Sequence, residues 1–326
     1  MWRTIWLVGA VACVPENNLR GEERPVSVPN PLELAERVTT DRFIQTPPTV
    51  VDVLFVIDDS CSMIDEQDQL AANFPSFFKW FEGSGVDYHV GVTSTDMDNP
   101  WKSGRLVSAA NGRWIDPDTP NAEAVFTDMA LLGINGTGNE AGIGAAYAAL
   151  ELHADGVNAG FLRDSGGLQV IVISDEEDHS GTMPISRGEF VEYLWGLSAT
   201  KDAVGFSSIV TPPGVFGMNG ETPGENYLFV TEQVGGQVFD IRSQDWSRLL
   251  DDLGMEALGL KREFFLSQLP VDGSLEVWLM EGEVVFVMEE GEDWTYDAVR
   301  NSVTFVHRIP EPYAEVELTY TVLAAQ

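Results

Sequence analysis

The sequence predicts a Rossmann-like α/β fold, with a mostly parallel central sheet flanked by helices and a small all-β unit after it. Three observations predict it. Two runs, Val50–Ile57 and Leu168–Ile173, are almost continuously apolar and β-branched, the pattern of strands buried on both faces of a sheet. Between and after them, strand-like and helix-like segments alternate, as parallel sheets require because each crossover needs a helix. Beyond about Arg262 the helical period disappears and only short β runs separated by turns remain.

Taken in order, Val50–Ile57 is the first central strand, and it runs directly into Asp58-Asp59-Ser60-Cys61-Ser62. Residues 64–81 place Leu70, Phe74, Phe77, Phe78 and Phe81 at helical spacing, with Pro75 expected to bend the helix. Tyr88–Thr93 reads as a strand, Ala122–Leu132 and Ala141–Leu152 as helices, and Leu168–Ile173 as the second buried strand. Gly188–Leu197 reads as a helix, Val204–Val210 as a strand, and Gln237–Ile241 with Asp245–Leu258 as a last strand and helix. Asn111-Gly112, between Arg105 and Ile115, suggests an inserted hairpin. The tail offers β runs near residues 264–266, 275–279, 284–287, 302–306 and 315–320. The expected organisation is a signal segment over 1–13, a flexible linker over 14–47, an α/β domain over 48–262 and an antiparallel β domain over 263–326.

Composition bounds the function. The chain has 326 residues, 52 acidic against 18 basic, and a formal charge of −34. That field repels phosphate backbones and anionic lipid headgroups, which excludes nucleic acid as a partner, and it concentrates divalent cations. Residues 1–13 carry one positive charge, Arg3, then a short apolar run and small residues before Cys13. This segment is similar to a bacterial lipoprotein signal, which implies lipidation of Cys13, an exported chain held at the cell envelope (outer membrane), and membrane contact only through that lipid. An ordinary secretory signal is the alternative. The linker, with Pro25, Pro29, Pro31, Pro47 and Pro48, would hold the domain off the surface.

The candidate chemistry lies where the first strand ends. In extended chain, residues i, i+2 and i+4 project to one side, so Asp58, Ser60 and Ser62 present one carboxylate and two hydroxyls together. Hard cations take about six or more oxygens, so other loops must contribute. Two can: Asp175, which closes the second buried strand and opens Asp175-Glu176-Glu177-Asp178, and the Gly133–Glu140 loop before the helix beginning near Ala141. All three loops are expected at one edge of the sheet, the edge where open parallel sheets bind ligands.

Here the chain resembles the von Willebrand A family, whose metal-ion-dependent adhesion site uses a D-x-S-x-S loop, a threonine from a second loop and an aspartate from a third. Asp58, Ser60 and Ser62 match the first loop and Asp175 the third. For the second, both Thr137 and Glu140 are candidates; a carboxylate there would neutralise more of the metal's charge and weaken its pull on an outside acidic group. The resemblance covers about residues 48–260 and is nearest to a version from exported bacterial lipoproteins, with its Asp-x-Ser-Cys-Ser-Met loop, Tyr-His-x-Gly-Val-Thr strand and Asp-Glu-Glu-Asp loop; the tail is similar to the β segment that follows such domains. It implies a bound Mg²⁺ or Ca²⁺ with one coordination position left for a protein partner's acidic side chain.

Other candidates carry less. Cys61 sits at an intervening position of the loop and is expected to be a small buried filler, a 13–61 disulfide being the alternative. The four histidines are scattered with no zinc spacing, and His179 is expected to face solvent. Asp96, Asp98, Asp116 and Asp118 fit no loop pattern and are expected to form a solvated acidic surface. With no activated nucleophile or acid–base pair at a defensible spacing, a binding or adhesion role is expected rather than catalysis, a hydrolase being the disfavoured reading. The rival reading is a structural or assembly component of the envelope in which the cation only stabilises loops.

Overall fold

The computed structural model describes residues 34–109, 112–164, 166–197, 203–217 and 221–325. The signal-like segment with Cys13 and the linker up to residue 33 lie outside the described residues. No helix among the described residues is long and apolar enough to cross a membrane.

Five parallel strands form the central sheet in the order β3-β2-β4-β5-β6: β2 (Val50–Ile57), β3 (Asp87–Ser94), β4 (Gly167–Ser174), β5 (Val204–Val210) and β6 (Val238–Asp240). β2 shows why the apolar run is continuous. Val53, Phe55 and Ile57 pack into one hydrophobic cluster while Leu54 and Val56 pack into another on the opposite face. β4 splits the same way, with Ile171 and Ile173 on the first side and Val170 and Val172 on the second.

The first face is covered by α1 (Ile64–Phe78), α2 (Ala122–Ala130) and α6 (Trp246–Ala257), which bring Phe74, Phe77, Phe126, Leu250 and Leu253 onto the sheet. α1 passes through Pro75 and ends within a turn of it, short of Phe81. The second face is covered by α3 (Gly142–Tyr147), which continues as a π-helical turn over Ala148–Leu152, by α4 (Arg187–Gly196) and by α5 (Glu225–Val234). α5 is absent from the sequence reading. It starts after Pro223-Gly224 and buries Tyr227, Val230 and Thr231, but its apolar residues Tyr227 to Val230 are contiguous and conceal the helical period.

The ends of the expected hairpin are paired, while its residues 110 and 111, Asn111 among them, lie outside the described residues. Ala109 and Gly112 bridge each other, and Ile115 bridges Val90 at the edge of β3. At the opposite end of the sheet from the candidate loops, buried Asp52 receives hydrogen bonds of 2.8 Å from both the backbone N–H and Nε of Arg163.

The remaining strands are antiparallel and form two sheets, β1-β12-β8-β9 and β10-β11-β7. Their ranges are β1 (Leu34–Ile44), β7 (Glu263–Phe265), β8 (Glu276–Glu281), β9 (Val284–Met288), β10 (Trp294–Asp297), β11 (Ser302–Phe305) and β12 (Glu315–Ala325). β1 corrects the linker expected over 14–47: residues 34–44 pair along their whole length with β12, from Leu34 opposite Ala325 to Ile44 opposite Glu315. The β unit therefore draws on both ends of the described chain and not only on residues 263–326. β1 is an edge strand with mostly exposed side chains, so it lacks the apolar alternation that marks a strand in sequence.

Connectivity positions the site. The helix following β2, α1, lies on one face, whereas the helix following β4, α4, lies on the other. β2 and β4 are neighbours, with Ile57 opposite Ile173, so the chain leaves their C-terminal ends in opposite directions and opens a crevice between them.

Candidate metal centre

The crevice brings Asp58 and Asp175 together as the sequence requires. Asp58 follows Ile57, and its N–H donates to the Ile173 carbonyl at 2.9 Å, continuing the β2–β4 ladder by one step. Ser174 Oγ donates to Asp58 Oδ2 at 2.6 Å, and the Ser60 N–H donates to Asp58 Oδ1 at 2.8 Å. The Ser60 and Ser62 hydroxyls lie 3.2 Å apart, and the Ser62 hydroxyl hydrogen-bonds the Asp175 carboxylate. Asp58, Ser60 and Asp175 are buried while Cys61, between the two serines, is exposed. Cys61 is thus not the buried filler expected; the alternation that turns the serines inward turns it out to solvent.

The second loop is pressed onto the first. The Gly136 N–H donates to the Asp59 carbonyl at 2.7 Å, and a Cβ at Gly136 would lie 2.7 Å from that oxygen, so only glycine allows the approach. Gln67 on α1 joins the two loops, its Nε2 donating to the Asp58 carbonyl at 2.9 Å and to the Gly133 carbonyl at 3.0 Å, and its Oε1 accepting from the Gly133 N–H at 3.1 Å.

Of the two second-loop candidates, Glu140 faces the Asp58 carboxylate and Thr137 does not bond to it. Glu140 is fully buried and accepts a hydrogen bond from Thr95 Oγ1. The Thr137 hydroxyl instead donates to Asp98 at 3.1 Å on the exposed side of the loop.

The acidic loop divides its labour. Asp175 faces Asp58, and Glu176 joins the same field. Glu177 turns away to accept from the N–H groups of Glu225 and Asn226 at the start of α5, and Asp178 accepts from the Ile143 N–H at 3.0 Å at the start of α3. His179 is exposed, as expected.

Electrostatics give the cluster its character. Burial raises the Asp58 pKa to about 6, with Ser174 and Ser60 partly opposing and Asp175 adding repulsion. Burial, then the charge of Asp58, raises Glu140 to about 9, and burial with the charges of Asp58 and Asp175 raises Glu176 to about 7. Asp175 is raised by burial and partly relieved by Ser62. Among the described residues no lysine, arginine or histidine makes an ion pair with any of these four; Lys102, the nearby cation, bonds Asp59 and lies 3.2 Å from Asp96. Glu140 Oε1 and Asp175 Oδ1 are buried without a hydrogen-bond partner.

Whether a divalent cation fits can be tested on these atoms. Among the described residues no three His, Cys, Asp or Glu groups converge closely enough to hold a metal by themselves. A ligand set here needs the hydroxyls of Ser60 and Ser62 beside the carboxylates, all hard oxygen donors of the kind Mg²⁺ and Ca²⁺ take. Orphaned buried carboxylate oxygens and uncompensated repulsion are what such an ion relieves, so the residues fit.

Several contributors went unread in the sequence: Gln67, Thr95, Ser174, Glu176 and Glu66, whose Oε2 is also buried without a partner. Thr95 and Ser174 follow or end strands flanking β2, so their place at this rim was available as a signal. Gln67 was not, because its role depends on the path of the Gly133 loop. Asp96, Asp98, Asp116 and Asp118 do not gather: Asp96 pairs with Lys102, Asp98 takes the Thr137 bond, and Asp116 closes its own turn with Thr119.

No family model and no curated protein matches this chain. Among solved structures it is similar to a von Willebrand factor type A protein from Catenulispora acidiphila, at 12% identity and TM-score 0.45 over 89% of this chain and 62% of the other. It is also similar to the pilus adhesin SpaC from Lactobacillus rhamnosus GG, at 12% identity and TM-score 0.48 over 88% of this chain and 41% of the other. A third is proximal thread matrix protein 1 from the mussel byssus, at 11% identity and TM-score 0.42 over 69% and 51%. The chain thus spans 41% to 62% of these structures' lengths. The fold class itself is defined by the sheet order and flanking helices described above.

Proposed function

We propose that this chain is a cation-dependent binding module, in which Asp58, Ser60, Ser62, Glu140 and Asp175 hold Mg²⁺ or Ca²⁺ and the ion receives an oxygen donor from a protein partner. The observation that carries this reading is the set of buried, mutually repelling carboxylates at the crevice with two orphaned oxygens. The bound ion would supply an open Lewis-acid position, and the chain's own residues would orient it: Ser174 and the Ser60 N–H fix the Asp58 carboxylate, and Gln67 fixes the loop that carries Glu140. Binding, not catalysis, is the role proposed. Residues 1–13 support an exported, lipid-anchored location through Cys13.

Calorimetric titration of the full chain with Ca²⁺ and Mg²⁺ tests the site. Wild type is expected to bind one ion, with a rise in unfolding temperature equivalent to about 2.7 kcal/mol at a hundredfold excess over Kd. Asp58→Ala is expected to do neither. No heat and no thermal shift in wild type, or equal responses in the two proteins, overturns the reading. Where the ion binds, capture from envelope extract with wild type and Asp58→Ala, each with and without chelator, separates the roles: equal capture in all four assigns the cation to loop stabilisation alone.

A further inference from the structure

Next to the Asp58 loop lies a pocket of about 380 Å³ that the cation site does not use. Asp59 forms part of its wall, so the pocket and the crevice share one loop. Lys102, Arg105 and Arg113 also line it, three cationic side chains in one place in a chain that has 18 basic residues against 52 acidic ones. Lys102 is occupied by Asp59 and Asp96. Arg105 and Arg113 are not: neither makes an ion pair among the described residues.

In so acidic a chain, a guanidinium readily finds a carboxylate, and two in one pocket that have no carboxylate partner keep fork-shaped N–H donors available. Arg113 is held in place through Nη1, which donates to the Leu106 carbonyl at 2.5 Å. Arg105 lies 6.0 Å from the ring centroid of Trp101, which is 82% exposed at the pocket mouth. Tryptophan and arginine are among the residue types enriched where binding energy concentrates in protein interfaces.

We propose that this pocket is a second anchoring point for the partner segment. A peptide would place one carboxylate at the cation and another between Arg105 and Arg113, with Trp101 covering its backbone. The proposal rests on the cation-site reading for the first of these contacts and stands on the pocket alone for the second. The walls favour a carboxylate over phosphate: Leu132 and the other apolar lining residues accommodate side-chain methylenes, and the Asp59 carboxylate penalises a dianion more than a monoanion. Such a pocket also resolves a conflict within the molecule, since a charge of −34 repels an acidic partner everywhere except where cations face outward.

The test is calorimetric titration of the full chain with N-acetylated, C-amidated tri-glutamate, in saturating Ca²⁺ and in chelator. Wild type is expected to bind tri-glutamate in Ca²⁺. The Arg105→Gln/Arg113→Gln double variant, with an unchanged circular dichroism spectrum, is expected to bind at least tenfold more weakly while its Ca²⁺ affinity stays as in wild type. Equal binding by the two proteins, or none by wild type, overturns the proposal. Stronger binding of inorganic phosphate than of tri-glutamate at the arginines overturns the carboxylate assignment. Should wild type give no Ca²⁺ heat while the arginines still set tri-glutamate affinity in chelator, the cation reading fails and the pocket stands.

Discussion

Asp58 is a buried carboxylate and Glu256 a half-buried one, and the contrast between them separates a candidate site from a structural burden. Asp58 lies among three other acids and the hydroxyls of Ser60, Ser62 and Ser174. Glu256, on α6, is raised to about 6 by burial, opposed by hydrogen bonds from Ser207 and Gln237, and Asp252 is the one charge that adds to the shift. Because its folded pKa lies above its unfolded value, the stability tied to its proton is complete below about 4.5 and is lost as pH rises through about 6. Replacing it by glutamine removes that loss. Glu256→Gln is expected to unfold at higher denaturant than wild type at pH 7–8, by about 1–2 kcal/mol, with the gap closing towards pH 4.5. Chemical denaturation across that range measures it, and a gap independent of pH would assign Glu256 a different role.

At the scale of elements, what could be read from sequence was what tertiary burial writes into side chains. β2 and β4 are buried on both faces, so their residues had no freedom to be polar, and the loops leaving them carried the Asp58, Ser60, Ser62 and Asp175 pattern to the right edge. β1 and α5 escaped for opposite reasons. α5 has apolar residues in excess of its buried face, and β1 leaves Leu34, Val38 and Ile44 exposed, since its contribution is a ladder of backbone hydrogen bonds to β12. The outward turn of the Thr137 hydroxyl was equally closed to sequence, because it depends on Asp98, from another loop, accepting its hydrogen bond. The role of β1 has a direct consequence. Without residues 34–44, β12 would present the run Val316 to Leu323 as an unpaired edge, strongly β-forming and alternately buried against the core. A chain beginning at Gln45 is expected to self-associate in size-exclusion chromatography, and the β12 amides facing β1 are expected to lose hydrogen-exchange protection. A monomer with β12 protection intact would show that the ladder contributes little.

Across the whole molecule, one hydrophobic core joins the parallel-sheet unit to the β unit. The cluster that holds Phe55, Phe74 and Leu250 extends without a break to Phe264, Leu279, Trp294, Phe305 and Leu318. Gln45 fastens the junction, its Nε2 donating to the Lys261 carbonyl at 2.6 Å and its Oε1 accepting from the Lys261 N–H at 3.1 Å. A shared core makes the two units thermodynamically one, since neither can unfold without exposing apolar surface on the other. Unfolding is therefore expected to be a single transition, with tryptophan signals assigned through Trp246→Phe on α6 and Trp294→Phe on β10 giving coincident midpoints. Raising NaCl from about 20 to about 200 mM shortens the Debye length from about 20 Å to below 10 Å, which screens the self-repulsion of a chain carrying −34. Both midpoints are then expected to rise together. Transitions that separate, or that respond differently to salt, would mean that the continuous packing does not couple the units and that the rim carrying Asp58 and Asp175 is held by the parallel sheet alone.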